Sequence, residues 1–459
     1  MLSASYAARV WGRRSDIDDE LRGRVEALPG LGASAWLEFD TDVRAIRFPA
    51  AWSAALRRRL ADGTATPQDV LLAACHRDGH LREAALQIST DPRIAALRSG
   101  DWVPQVRDLA RERCAAALPD ALPALVGFAR AMRDRAHGGW LAEAVTAALT
   151  TAAPQVLAAA RAVEDQKARR MVFATTAAAL PLPELLHLAR TDRDREVRLI
   201  CGAAALRAAR AADDPGAVHP LLTARTSALR ADAVHTLALA GDLRPAAAAL
   251  TDRTAVVRAT AQAALRRAGE APAAHYRRVD PPTPESVAGL GETGSRADAD
   301  AVTPLLAAPL PRMRAAAVDA VHALGAGTPD LLATLLTDPS PRVSRRAVRA
   351  LRATPPPEPF LRGALAPGNP PHQRTAAYAL LRAASPACRL HTDLLLLADP
   401  ADPLHGAAER DVAEWLRSGS ATAYLRPGDA PWADLLAGAA PTLGQERVRV
   451  LRFHLGLRH

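Results

Sequence analysis

A short frame of residues recurs along this chain and restricts its fold more than any other feature. It is plainest in "LTDRTAVVRATAQAALRRAG" (250–269), where Asp252 is followed by Val257, Arg258 and Ala261. Asp101, Val106, Arg107 and Ala110 repeat it, as do Asp192, Val197, Arg198 and Cys201. Leu229, Arg230 and Ala233 follow with Ala224 in the acid's place, and Met313, Arg314 and Ala317 with Ala308 there. In "DPSPRVSRRAVRAL" the frame reads Asp338, Val343, Ser344 and Ala347, and the expected arginine is displaced to Arg345. Gln373, Arg374 and Ala377 form a faint last copy; Leu81, Arg82 and Ala85 form a faint first one. The arginines at 198, 230, 258, 314, 345 and 374 are spaced by steps of about 30 residues or twice that, the period of a stacked repeat.

Composition says what the repeat is made of. Hydrophobic residues are 49% of the 459, but aromatics only 4%, so the interior is Ala, Leu and Val. Alanine is the strongest helix former, and β-branched or aromatic runs are scarce, which predicts an all-α chain. Within the frame, the acid is placed at a turn, where its carboxylate can accept from the free N–H groups opening the second helix. Val257 and Ala261 stand one turn apart, and Leu265 continues their buried stripe. Arg258 sits against the helix dipole and needs an acidic partner, the turn Asp of its own or a stacked repeat. That predicts a structural ladder through Asp101, Arg107, Asp192, Arg198, Arg230, Asp252, Arg258, Arg314, Asp338 and Arg374.

At these residues the chain resembles the HEAT-like repeat family, particularly its short phycobilisome-lyase-type form; "LGETGSRADADAVTPLLAAPLPRMRAAAVDAVHALG" (290–325) carries the likeness best. The resemblance covers roughly residues 67–384 and implies a right-handed, armadillo-like α-solenoid of stacked antiparallel helix pairs, with the Asp and Arg structural. The organisation expected is an N-terminal cap (1–66), a first repeat block (67–270), a Pro-rich linker (271–286), a second block (287–384) and a C-terminal helical cap (385–459). "AWLEFDTDVRAIRF" (35–48) reads as a helix or a short hairpin, and Trp415, Trp432 and Phe453 are expected to seal the open end.

The formal charge of +9 comes almost wholly from arginine, Lys167 being the only lysine, and 49 acids dilute its field. Cys75, Cys114, Cys201 and Cys388 form no close pair, so neither a zinc site nor a disulfide framework is expected. "MLSASYAARVWGRRSD" lacks the apolar core of a secretory signal, and no segment approaches the ~18 uncharged apolar residues of a membrane span. A cytoplasmic protein without a membrane partner is the expectation.

Several motifs carry chemistry on paper. "GLGETG" (289–294) satisfies G-x-G-x-x-G but follows a Pro-rich stretch instead of a strand, so no cofactor is expected. "CHRDGH" places Cys75, His76, Asp78 and His80 together, without the second cluster that a metal requires, and reads as a surface loop. "RVSRRAVRALR" sets Arg342, Arg345, Arg346, Arg349 and Arg352 on one helical stripe opposite Val343, Ala347 and Leu351, with no acid between 340 and 353. Guanidinium forks suit phosphates and carboxylates, which makes this stripe the candidate partner-binding site, set against a solvated basic face.

The leading functional expectation is a non-enzymatic scaffold offering a curved surface to a protein partner. Phosphate-backbone binding through the stripe is the alternative. A third reading is a HEAT-like DNA glycosylase, which resembles this fold and would pair Asp101 or Asp134 with Trp102 or Trp140. The signatures G-x-x-x-x-G-K-[ST], H-E-x-x-H and G-x-S-x-G are absent.

Overall fold

The computed structural model describes residues 21, 23–418 and 431–457, and the expectation about "MLSASYAARVWGRRSD" concerns residues outside these. Every regular element among the described residues is helical, and there is no strand. The chain divides into two units, Met1–Leu237 and Ala238–His459.

The first unit contains α1 (Ala33–Ala45), α2 (Ala50–Ala61), α3 (Pro67–Ala74), α4 (Gly79–Ile88), α5 (Pro92–Arg98) and α6 (Pro104–Met132). It continues with α7 (Gly139–Thr151), α8 (Pro154–Arg161), α9 (Gln166–Thr176), α10 (Leu182–Thr191), α11 (Arg195–Ala211), a 3-10 segment (Pro215–Thr223) and α12 (Ser227–Leu239). The division falls in the last turn of α12. The ambiguous "AWLEFDTDVRAIRF" is resolved as helix α1, because Trp36, Leu37, Phe39, Asp40 and Val43 all bury on one face at helical spacing.

The second unit contains α13 (Arg244–Ala249), α14 (Ala255–Arg267), α15 (Pro272–Arg277), α16 (Pro284–Thr293), α17 (Ala299–Val302), α18 (Pro311–Ala323) and α19 (Pro329–Thr334). It ends with α20 (Pro341–Leu351), α21 (Glu358–Leu365), α22 (Pro371–Ala384), α23 (Pro386–Leu397), α24 (His405–Arg417) and α25 (Trp432–His454). The longer helices α16, α18, α20 and α22 pack each against the next, and α17, α19 and α21 lie between them in sequence.

The prolines start helices more often than they interrupt them. Pro67, Pro92, Pro104, Pro154, Pro272, Pro284, Pro311, Pro329, Pro341, Pro371 and Pro386 all occupy the first turn, where a missing N–H costs nothing. The segment expected as a Pro-rich linker is accordingly packed structure. It carries α15 and opens α16, and its Tyr276 is buried, donating its hydroxyl to Leu250 O at 3.0 Å while accepting from Gln262 Nε2 at 3.1 Å. At the other end, α14 and α18 finish alike. Gly269 and Gly325 have φ of 82° and 69°, and the N–H groups of Glu270 and Ala326 return to Leu265 O and Val321 O. This αL cap favours glycine.

Helix α6 meets the length and composition of a membrane span, contrary to the expectation that nothing would. It cannot be a straight rod. Run straight, 29 residues would extend about 43 Å. Yet a Cβ added at Gly100, just ahead of the helix, would lie 3.1 Å from Met132 Cε at its far end. The run therefore folds back on itself, and the interior prolines Pro119 and Pro123, which cannot donate to the helical ladder, are where the backbone can yield. Val106, Ala110, Cys114, Leu122 and Val126 bury into the first unit's core.

Small residues set the helix spacing. A Cβ at Gly202 of α11 would fall 2.3 Å from Leu229 Cδ2 of α12, so any larger residue there would have to displace the Leu229 side chain.

Candidate functional site

The recurring arginine joins two things at once. Its Nη1 donates to the carbonyl six positions earlier, at the turn of its own copy: Arg107 to Asp101 O, Arg198 to Asp192 O, Arg230 to Ala224 O, Arg258 to Asp252 O and Arg314 to Ala308 O, at 2.7–3.1 Å. Because a carbonyl accepts this bond, Ala224 and Ala308 serve as well as Asp. In several copies the remaining edge of the guanidinium also reaches forward to the next copy, whereas Arg107 meets its neighbour Asp108 at 3.8 Å. Arg314 Nε and Nη2 grip Asp338 Oδ2 and Oδ1 at 2.8 Å each. Arg82 holds Asp101 in the same two-pronged way at 2.9 Å, and Arg169 holds Asp192. Arg374 pairs with Asp402, Arg258 with Glu292, and Arg198 with the Thr226 hydroxyl at 3.1 Å. The frame alone did not mark Glu292, Thr226 or Asp402.

The acid's local role differs from the expected helix cap. Asp101, Asp192, Asp252 and Asp338 each accept from the backbone N–H two residues on, at 2.7–3.0 Å. This Asx-turn closes the connection, and the helix's own N-cap follows it: Asp194 before α11, Ser340 before α20. Burial pushes Asp338 up, but the bonds from Arg314 and Ser340 outweigh it and hold its pKa below the usual carboxylate value. Arg345 does not replace the missing frame arginine. Ser344 is buried and donates to Leu336 O at 3.1 Å, while His372 and Gln373 of α22 reach back to Asp338 O and Thr337 O at 2.9 Å.

Asp101 is the centre of a buried cluster. Besides Arg82 and the Val103 N–H, it accepts from Arg98 at 3.3 Å and Arg44 at 3.1 Å; Arg44 and Arg98 also hold Asp40. Arg98 Nε is buried with no hydrogen-bond partner. Both carboxylate oxygens of Asp101 are thus occupied by donors of the chain itself. Trp102 beside it is 67% exposed, its ring 5.6 Å from the Arg82 guanidinium. Asp134 is exposed, and Trp140 is half-buried under Arg111. These residues do not assemble a carboxylate with an open acceptor beside an aromatic.

The other motifs are absorbed by packing. "CHRDGH" is a buried turn and not a surface loop. Cys75 and His76 are buried, His76 Nδ1 accepts from the Asp78 N–H at 3.0 Å, and Asp78 caps α4. No group of metal-ligating side chains occurs among the described residues. "GLGETG" lies on α16 and its C-cap, where a Cβ at Gly289 would be 2.1 Å from Tyr276 Cζ and one at Gly291 2.6 Å from Ala320 Cα. Those glycines admit neighbours, and the helix N-terminus that would face a phosphate lies a turn or more earlier. Of the three residues expected to seal an open end, Trp415 and Trp432 are buried among the C-terminal helices, whereas Phe453 is 79% exposed.

A second polar cluster, unmarked in the sequence, joins α22, α23 and α24. Tyr378 donates to Asp393 at 2.6 Å; Arg389 grips Asp411 at 2.6 and 2.7 Å, and Arg382 Nε reaches it at 2.8 Å. Asp393 and Asp411 are both buried and hydrogen-bonded to each other. Burial and the neighbouring Asp411 push Asp393 up to about 8, whereas the arginines outweigh burial at Asp411 and hold it down. The proton between them belongs to the pair.

The stripe stands apart from all of these. From Arg342 to Arg352 every residue that is not buried is an arginine, and every arginine is unburied. Arg346 alone is paired, with Asp319 of α18. Arg342, Arg345, Arg349 and Arg352 are exposed and have no ion pair among the described residues.

No family model and no curated protein matches this chain. Among solved structures it is similar to an engineered protein from a structural genomics consortium, at 17% identity over 95% of this chain and 97% of that one. The TM-score of 0.20 is too low to bear on the fold.

Proposed function

We propose that the chain is a non-enzymatic scaffold whose HEAT-like helix pairs stack as a right-handed α-solenoid and offer their outer faces to a protein partner. The supporting observation is the junction repeated within each unit, an arginine tying its own turn's carbonyl to the next turn's acid, as in Arg82 to Asp101 and Arg314 to Asp338. Charged residues that recur this way are consumed in holding helices together. What the chain leaves available is surface, and stacked helix pairs supply broad surface more readily than a dry pocket.

Two measurements test this. In small-angle scattering the array should have a radius of gyration clearly above the ~23 Å expected for a compact globule of this length; a value at or below that removes the solenoid. A tagged chain recovered from its native host at physiological salt should bring down a protein that elutes with it at fixed stoichiometry and re-forms the complex from purified parts. Recovery of the chain alone from every extract overturns the scaffold reading.

A further inference from the structure

We infer that the solvent face of α20 docks an acidic segment of a partner protein, its carboxylates gripped by Arg342, Arg345, Arg349 and Arg352; this rests on the scaffold reading.

The first argument is how many arginines without a carboxylate stand on one helix. Elsewhere in the second unit Arg258, Arg277, Arg314, Arg374, Arg382 and Arg389 each hold a carboxylate of the chain itself, and exposed arginines such as Arg253, Arg278 and Arg312 are scattered over separate segments. On α20 the carboxylate within reach, Asp319, is taken by Arg346. The four arginines left over stand three or four residues apart on one helix, where like charges repel and weaken it. A partner's carboxylates would reverse the sign of that interaction at every step.

The second argument is the shape of the positive surface. The row from Arg342 to Arg352 is about 15 Å long. It is narrow at its middle. Thirty residues away in either direction, Arg345 corresponds to Ala315 on α18 and Thr375 on α22, and Arg349 to Asp319 and Ala379; only toward its ends does basic character spread, Arg342 corresponding to Arg312 and His372, and Arg352 to His322 and Arg382, the last held by Asp411. A cationic line that is one helix wide at its centre fits an amphipathic peptide bearing acids along one side. Nucleic acid would be served differently. A backbone contacted at six to ten phosphates needs a broader field, and single strands need exposed aromatics for stacking. On α18, α20 and α22 the lone aromatic, Tyr378, is buried.

The test is fluorescence anisotropy with a labelled 20-residue Ala/Glu peptide carrying Glu at three- and four-residue spacing, its Gln counterpart, and a 20-base-pair DNA duplex, all at physiological salt. The intact chain should bind the Glu peptide and not the Gln one. Arg345→Gln, Arg349→Gln and Arg352→Gln together should weaken it at least about tenfold with the melting temperature unchanged. The same charge removed at the exposed Arg207, Arg210 and Arg253 should leave binding within about twofold. Equal losses from both triple variants, or no binding of the Glu peptide, overturn the inference, as does duplex binding that is tighter and stripe-dependent. If the peptide fails while a host protein still binds stoichiometrically to the stripe variant, the docking site falls and the scaffold reading stands.

Discussion

Arg314 lies edge-on to Asp338 of the following turn, two guanidinium nitrogens against two carboxylate oxygens at 2.8 Å, while its third nitrogen holds Ala308 O. Both side chains are largely buried, so neither is readily solvated if the other is removed. Arg314→Ala should cost about 3 kcal/mol, the usual loss when a buried pair is broken from one side. Denaturant unfolding of Arg314→Ala, Asp338→Asn and the double variant checks this. The double variant should lose less than the two singles summed, and strict additivity would mean that the pair does not couple the turns.

Glycines in α16 and α21 give predictions of opposite sign. Gly291→Ala presses a methyl to within 2.6 Å of Ala320 Cα and should destabilise by about 1–3 kcal/mol. Gly363→Ala, on α21 with nothing within 4 Å of the new atom, should stabilise by up to about 1 kcal/mol. Thermal melts of the two variants decide. A harmless Gly291→Ala would dissolve the close-approach account of "GLGETG".

Asp393 predicts an alkaline loss of stability. Its pKa rises from an ordinary 3.8 to about 8 on folding, so between those values the folded chain holds a proton that the unfolded chain has released. The group's contribution is therefore full below about pH 4 and is lost as pH climbs through about 8. Asp411, held below its ordinary value, works in the reverse sense and loses its contribution as pH falls through its folded pKa. Melting temperatures across pH 5–9 should decline toward the alkaline end in the native chain, and Asp393→Asn should flatten that decline. An unchanged profile in the variant would place the titration elsewhere.

The cysteines should be inert while the chain is folded. Cys75, Cys114, Cys201 and Cys388 are buried, and burial raises all four thiols, Cys114 and Cys201 to about 12. Mass spectrometry after iodoacetamide at pH 8 should find no alkylation without denaturant and four adducts with it. Rapid native labelling of any of them would contradict the packing around it.

What could be read from residues alone was local. Alanine-rich composition and the spacing of Val257, Ala261 and Leu265 are helical properties of neighbouring residues, and every regular element among the described residues is a helix. That every unburied residue from Arg342 to Arg352 is an arginine also followed from periodicity, because one helix's inner and outer faces are determined by its own 3.6-residue turn. The limits are as physical. Nothing within the repeated frame distinguishes a carboxylate that caps a helix from one that closes an Asx-turn, nor shows that Arg258 would choose Glu292, since those choices depend on which groups a folded neighbour brings within 3 Å. The same holds for Asp393 and Asp411. Each is an ordinary acid in the sequence, and only the packing of α22, α23 and α24 strips away the water that would have kept both ionised.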